Sequence, residues 1–223
     1  TKFLHIATAL LFAGFTSSCS DFLDRYPLDE LSDSSFWKTE NDAMMAVTDI
    51  YGCLPTWDQD EDINSDNAVH GIKWAAGNIS KGIYDPMDQS WAGSYTPIRQ
   101  CNLVLEKVKD IEMSDESRKK IEGQAYFFRA FVYFNLIRSF GDVPYIDKPL
   151  NLTDVEDITR TPREEVYAKV MADFDKAIEY LPEEWDAANT PRVTKGAALA
   201  MKARAALYYS NWQVAADASK AVI

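Results

Sequence analysis

Ser114-Asp-Glu-Ser-Arg-Lys-Lys-Ile-Glu-Gly-Gln-Ala-Tyr-Phe-Phe-Arg-Ala-Phe-Val-Tyr-Phe-Asn-Leu-Ile-Arg-Ser139 carries aromatic rings on more than one side of a helical projection: Tyr126, Phe127, Phe128, Phe131, Tyr133 and Phe134. A helix that is apolar nearly all round has to be buried. The segment therefore reads as a central helix packed against several neighbours, beginning near Ser114 and stopped by Gly141 and Pro144. It is the core of the fold.

Helical spacing continues on both sides of it. Toward the N-terminus, Thr39 followed three residues on by Asp42 resembles an N-cap signature, and Ala43, Met44, Val47, Ile50 and Tyr51 fall on one face of a helix running to about Leu54. A second helix is expected to follow Pro97, with Ile98, Cys101, Leu105 and Val108 inward. Beyond the central helix, Thr161-Pro-Arg-Glu164 combines an N-cap, a proline at the first helical position and a capping-box glutamate. Val166, Val170, Phe174 and Ile178 then form a stripe at four-residue spacing. Val193 to Tyr209 and Trp212 to Ile223 read as an antiparallel pair, with Ala197, Ala200, Ala203 and Ala206 giving small faces for close approach. No strand of any length is expected, so the fold class is all-α.

Helix pairs with small residues at their crossings, and the step from Trp212 to Ala215, are in the style of tetratricopeptide repeats. A plain helical bundle shows much the same periodicity, and spacing alone leaves both open. The pattern runs to Ile223 without a capping signal, so the chain reads as part of a longer protein.

Two stretches break the helical pattern. Residues 55–90 carry turn residues, acidic residues and isolated aromatics without a period, longer than an ordinary connection and so expected to be functional or flexible. At the start, Lys2 precedes an apolar run to Phe15, too short for the roughly 20 residues that span a bilayer, and Thr16-Ser-Ser-Cys19 follows. This is the pattern of a signal peptide over residues 1–18. Cleavage before Cys19 would leave a thiol at the new N-terminus for acylation, making Cys19 a lipid anchor. An ordinary signal peptide cut elsewhere is the alternative. Residues 19–38 then form an extended leader, and 39–223 the helical domain.

Composition narrows the function. With 47% hydrophobic residues the chain can bury a real core, and its formal net charge of -12 argues against nucleic acid, whose phosphates are gripped by Lys and Arg. Anionic ligands are disfavoured for the same reason. Cys53 and Cys101 sit in no close pair or Cys/His cluster of zinc spacing, so no structural zinc is indicated; a disulfide between them is allowed but not required.

Several segments, taken together and in order, resemble the SusD/RagB family of outer-membrane lipoproteins. They are Cys19-Ser-Asp-Phe-Leu-Asp24, Phe36-Trp-Lys-Thr-Glu-Asn-Asp-Ala43 leading to Tyr51, and Trp91-Ala-Gly-Ser-Tyr-Thr-Pro-Ile98 with Asn102. Next come Gly123-Gln-Ala-Tyr-Phe-Phe-Arg-Ala130 with Tyr133, Phe140-Gly-Asp-Val-Pro144, and Thr161-Pro-Arg163 with Val166-Tyr167, Asp173, Ala177 and Leu181-Pro182. One departure is Gln124, where the family commonly has glutamate, so a buried pairing of that position with Arg129 cannot be assumed. The resemblance implies a helical fold with tetratricopeptide-like repeats, no enzymatic activity and no cofactor. It also implies a lipid-anchored, surface-exposed place in the outer membrane beside a SusC-type TonB-dependent transporter. The ligand implied is a glycan, or a peptide for a RagB-like member; a structural repeat adaptor is the rival by class.

Sugar binding needs flat apolar faces for ring C–H groups and amides or carboxylates for hydroxyls. Residues 55–90 supply both: Trp57, Trp74 and Tyr84 as rings, Asp66, Asn67, Asn78 and Lys73 as polar groups. Trp91 and Tyr95 read as structural. Asp58-x-Asp60-x-Asp62-x-Asn64 has alternating oxygen-ligand spacing, but Ile63 stands where a calcium loop needs glycine and Val69 where it needs glutamate, so a solvated acidic loop and no metal is expected. His70 is the one histidine left after signal cleavage, and no nucleophile motif points to it. Arg129 is expected to pack its stem and place its guanidinium on carbonyls or a carboxylate.

Overall fold

Thr39 starts the first helix as its spacing implies. In the computed structural model, which describes residues 36–55, Gly82, 91–151, Asp154 and 157–223, its side chain accepts from the Asp42 amide at 3.3 Å while Asp42 Oδ2 accepts from the Thr39 amide at 2.8 Å. The capping box is complete, and these hydrogen bonds hold the Asp42 carboxyl below its ordinary pKa. Helix α1 covers Glu40–Ile50 and ends in a 3₁₀ turn, Tyr51–Cys53; Ala43, Val47 and Ile50 are buried.

Helix α2 covers Trp91–Lys107 and departs from expectation. Pro97 lies inside it and does not mark its start. The first turns are held by tertiary contacts that local sequence does not reveal. The Trp91 ring meets Phe140 edge-on at 4.8 Å and the Arg160 guanidinium lies 5.1 Å from it, while the Tyr95 hydroxyl donates to the Pro144 carbonyl at 3.0 Å. The expected inward face is present: Ile98, Cys101, Leu105 and Val108 are all buried.

Helix α3, Asp115–Phe140, runs from a Ser114 cap, whose hydroxyl accepts from the Ser117 amide at 3.1 Å, to Gly141. Gly141 has φ 71°, the left-handed conformation that glycine adopts at least cost, and its amide returns to the Ile137 carbonyl. Buried residues occur all round α3 between Ile121 and Ile137. It packs against α1, α2 and α4, Arg163–Tyr180, which makes it the centre of the compact unit Trp37–Ile223. Gly123 marks the closest approach to the end of α4. A Cβ there would stand 3.0 Å from both Leu181 Cγ and Tyr180 Cβ.

The start of α4 is capped differently from expectation. Thr161 exchanges backbone hydrogen bonds with Val143 in an isolated bridge, Pro162 takes the N-cap position with no side-chain cap, and Glu164 pairs with its neighbour Arg163. Asp142 supplies the missing acceptor: its Oδ1 receives the Arg163 amide at 2.9 Å. Recruiting Thr161 into the bridge removes it from capping. The α4 stripe holds, with Val166, Val170 and Phe174 buried, and Asp173 is buried among them.

Helix α5, Lys195–Tyr208, is capped by Thr194, and α6, Trp212–Val222, packs back on it after a short turn. Ala198, Ala203, Ala205 and Ala206 are the buried alanines, whereas Ala200 is exposed. The series Ala197, Ala200, Ala203, Ala206 cannot share one face, because each three-residue step slips about 60° around a helix of 3.6 residues per turn. Among the described residues, no strand is present beyond the Val143 bridge.

Candidate functional site

The residues singled out for ligand contact, Trp57, Asp66, Asn67, Trp74 and Tyr84 with Lys73 and Asn78, lie outside the described residues. So do Cys19, His70 and the Asp58 to Asn64 series. What the described helices show is the frame from which that stretch departs after Pro55 and to which it returns at Trp91.

Two polar clusters fix this frame. In the first, Arg129 of α3 reaches Asp173 of α4 through two parallel hydrogen bonds, Nε to Oδ2 at 2.8 Å and Nη2 to Oδ1 at 2.7 Å. Its Nη1 donates to Asn102 Oδ1 of α2 at 2.8 Å, and the Tyr126 ring lies 5.4 Å away. The Asn102 amide in turn donates to the Ile146 carbonyl at 2.9 Å. Arg129, Asn102 and Asp173 are 6%, 2% and 6% exposed, so the set is a buried, fully engaged hub tying three helices to the 145–148 segment. Burial raises the Asp173 carboxyl above its ordinary pKa, while the Arg129 hydrogen bonds pull it down. Arg129 thus takes the structural role its sequence context implies, on a carboxylate. The signal for that carboxylate is an aspartate in the apolar register of α4.

The second cluster centres on Tyr51, at the end of α1. Its hydroxyl donates to Gln124 Oε1 at 2.9 Å and accepts the Val193 amide at 2.9 Å. Arg192 adds Nη1 to Gln124 Oε1 at 3.1 Å and Nη2 to Thr48 Oγ1 at 3.0 Å. Position 124 therefore serves this cluster, distant in role from Arg129. A glutamine suffices because its oxygen accepts from both partners while its amide donates to the Lys120 carbonyl at 3.0 Å.

Between α1, α2 and α3 lies an open cleft of about 510 Å³. This is within the roughly 300–1,000 Å³ of small-ligand pockets. Its floor is one turn of α3, where Phe131 and Asn135, both half-buried, stand four residues apart on the same face. One wall joins α1 to α2 through a hydrogen bond from Gln100 Nε2 to Asp49 Oδ2. Cys53 lies at the rim and burial pushes its thiol up to about 11; Cys101 is fully buried, and both are free thiols. Among the described residues, no group of three or more His, Cys, Asp or Glu is placed to hold a metal ion. None of these cleft residues was expected from sequence, although an asparagine one turn from a phenylalanine inside an aromatic helix is a legible signal.

The profile of the SusD-like family described as starch-binding and associating with the outer membrane matches residues 21–207. The chain belongs to this SusD-like family. The SusD-like protein P2 of Formosa agariphila is 30% identical over 220 residues, covering 92% of this chain and 43% of that protein. A SusD-like protein of Bacteroides ovatus is 26% identical, covering 95% of this chain and 40% of its own length. The chain thus spans less than half the length of these curated relatives. Among solved structures, a SusD-like protein of Bacteroides fragilis superposes with a TM-score of 0.78 at 27% identity, over 89% of this chain and 40% of that one. A laminarin-binding SusD-like protein superposes with a TM-score of 0.73 at 24% identity, over 81% and 42% respectively. The all-helical architecture is that of SusD-like proteins, and no described helix is long and apolar enough to cross a membrane.

Proposed function

We propose that this SusD-like chain is the N-terminal part of a non-catalytic lipoprotein that captures oligosaccharide or polysaccharide at the outer membrane and delivers it to a SusC-type transporter. Its membership of a family described as starch-binding and outer-membrane-associated carries the reading. The laminarin-binding protein of the same fold fits it. On this reading residues 1–18 are the signal, Cys19 bears the acyl chains, residues 19–38 are the leader, and the helix pairs of 39–223 stack in tetratricopeptide style. Trp57, Trp74 and Tyr84 supply faces for sugar rings, and Asp66 and Asn67 hydrogen-bond hydroxyls.

The test is calorimetry of the full-length, unlipidated protein against glycan and peptide panels. Trp57→Ala and Trp74→Ala should each weaken glycan binding about 5- to 10-fold, the loss of one ring contact, at unchanged melting temperature. Equal affinity with a lowered melting temperature makes these rings packing residues, and peptide hits alone move the protein to the RagB-like class. Separately, intact-mass analysis of protein purified from membranes should show acyl groups on Cys19; an unmodified end at another residue overturns the anchor.

A further inference from the structure

We infer that the cleft between α1, α2 and α3 is a subsite for one ring of a neutral saccharide, with Phe131 as the stacking face and Asn135, Gln100 and Asp49 as the hydroxyl-binding groups. The inference rests on the glycan-capture reading and adds to it a place and a set of residues.

The chemistry of the lining selects the ligand. Among the described residues, no lysine, arginine or histidine lines the cleft and Asp49 places a carboxylate in its wall, which disfavours an anion, whereas the carboxamides, carboxylate and hydroxyls match a polyol. Phe131 lies 6.4 Å from Phe127 with the two rings nearly parallel, so its orientation is set before a ligand arrives. The Asn135 amide has no hydrogen-bond partner among the described residues, and from its half-buried place on the cleft floor, one turn from that ring, it offers two donors and an acceptor. Gln100 and Asp49 use one donor and one oxygen on each other, which orients the pair across the wall and leaves a carboxamide oxygen, an N–H and a carboxylate oxygen for hydroxyls.

Pro97 also bears on this wall. A proline inside a helix removes the N–H that would bond the carbonyl four residues back, here that of Gly93. Both residues line the cleft. The proline that misplaces the start of α2 in a sequence reading thus leaves a backbone carbonyl without its intrahelical donor at the same wall.

The experiment uses the full-length, unlipidated protein with maltohexaose and laminarihexaose as probes. Asn135→Ala should weaken binding of the accepted glycan about 3- to 10-fold, as expected for a lost hydrogen-bonding group. Gly52→Trp places a ring at the cleft edge, where an added Cβ meets nothing within 4 Å, and should weaken binding at least about 10-fold at unchanged melting temperature. Bound glycan should also slow alkylation of Cys53 by iodoacetamide at pH 9, read on its own peptide by mass spectrometry. If wild type binds glycan but both variants bind within 2-fold of it and Cys53 stays unprotected, the sugar sits elsewhere: the subsite is overturned and the capture reading survives. If neither these probes nor a wider glycan panel binds to wild type, both readings fall. If peptides bind and Asn135→Ala weakens them instead, the cleft is real and the saccharide assignment is overturned.

Discussion

Asp173→Ala is expected to destabilise the chain by about 3–5 kcal/mol, measured by urea unfolding of the full-length protein, because it leaves the Arg129 guanidinium buried without its counter-charge. The loss is one of desolvation more than of attraction. The pair forms through two parallel hydrogen bonds in a place only 6% exposed, and water cannot replace the carboxylate once it is gone. Asn102 and the Tyr126 ring hold the guanidinium in the interior, so it cannot swing out to solvent. The double variant Arg129→Met with Asp173→Leu should recover much of the loss, since apolar side chains of similar size can replace a buried pair at little cost. A single-variant loss below about 1 kcal/mol would mean that the hub is wet, and would remove the argument that it locks α2, α3 and α4 together.

Alkaline pH should produce the second large effect. Burial pushes the Cys101 thiol and the Tyr133 phenol well above their ordinary values of 9 and 10, so both stay neutral in the fold while the unfolded chain ionises. Folded pKa values above unfolded ones mean stability fully present below pH 9 and lost as pH rises through the unfolded values. Each group then costs about 1.4 kcal/mol per pH unit, together about 4 kcal/mol by pH 11. Cys53, raised to about 11, and Tyr95 and Tyr145, raised to about 12, act in the same direction. Urea midpoints between pH 8 and 11 test this. Tyr133→Phe lowers stability at pH 8, since the Tyr133 hydroxyl bridges the Ile146 carbonyl at 3.1 Å and amide at 2.6 Å, but its midpoint should fall less steeply above pH 10. Parallel slopes for the two proteins would show that Tyr133 ionises in the fold.

The locking hub and the cleft share α3, which makes the frame stiff where the proposed subsite lies. The inner side of this helix carries Arg129 and Tyr133, engaged with α2, α4 and the Ile146 backbone. Phe131 and Asn135 stand on another side, fixed in height by that engagement and open to the cleft. A floor held this way loses little freedom on binding, so its contacts act without first being ordered.

The sequence by itself determined the helices and the family. Apolar spacing at three and four residues, the Thr39 to Asp42 capping box and the Ser114 to Gly141 boundaries are interactions between near neighbours in the chain, and local sequence contains them in full. The ordered segments from residue 19 to 182 carried the resemblance to the SusD-like family. Tertiary structure alone decided where polar groups meet. Asp173 lies 44 residues from Arg129, and Gln124 turned to Tyr51 and Arg192 because α3 brings a different side to that cluster. Packing likewise overruled local signals at Pro97, whose helix is carried past it by Trp91 and Tyr95, and at Thr161, drawn into a bridge with Val143 and replaced as a cap by Asp142. The cleft belongs to this second class: Asp49, Gln100 and Asn135 come from three helices, and no spacing along one chain segment encodes a meeting point that exists only after those helices pack.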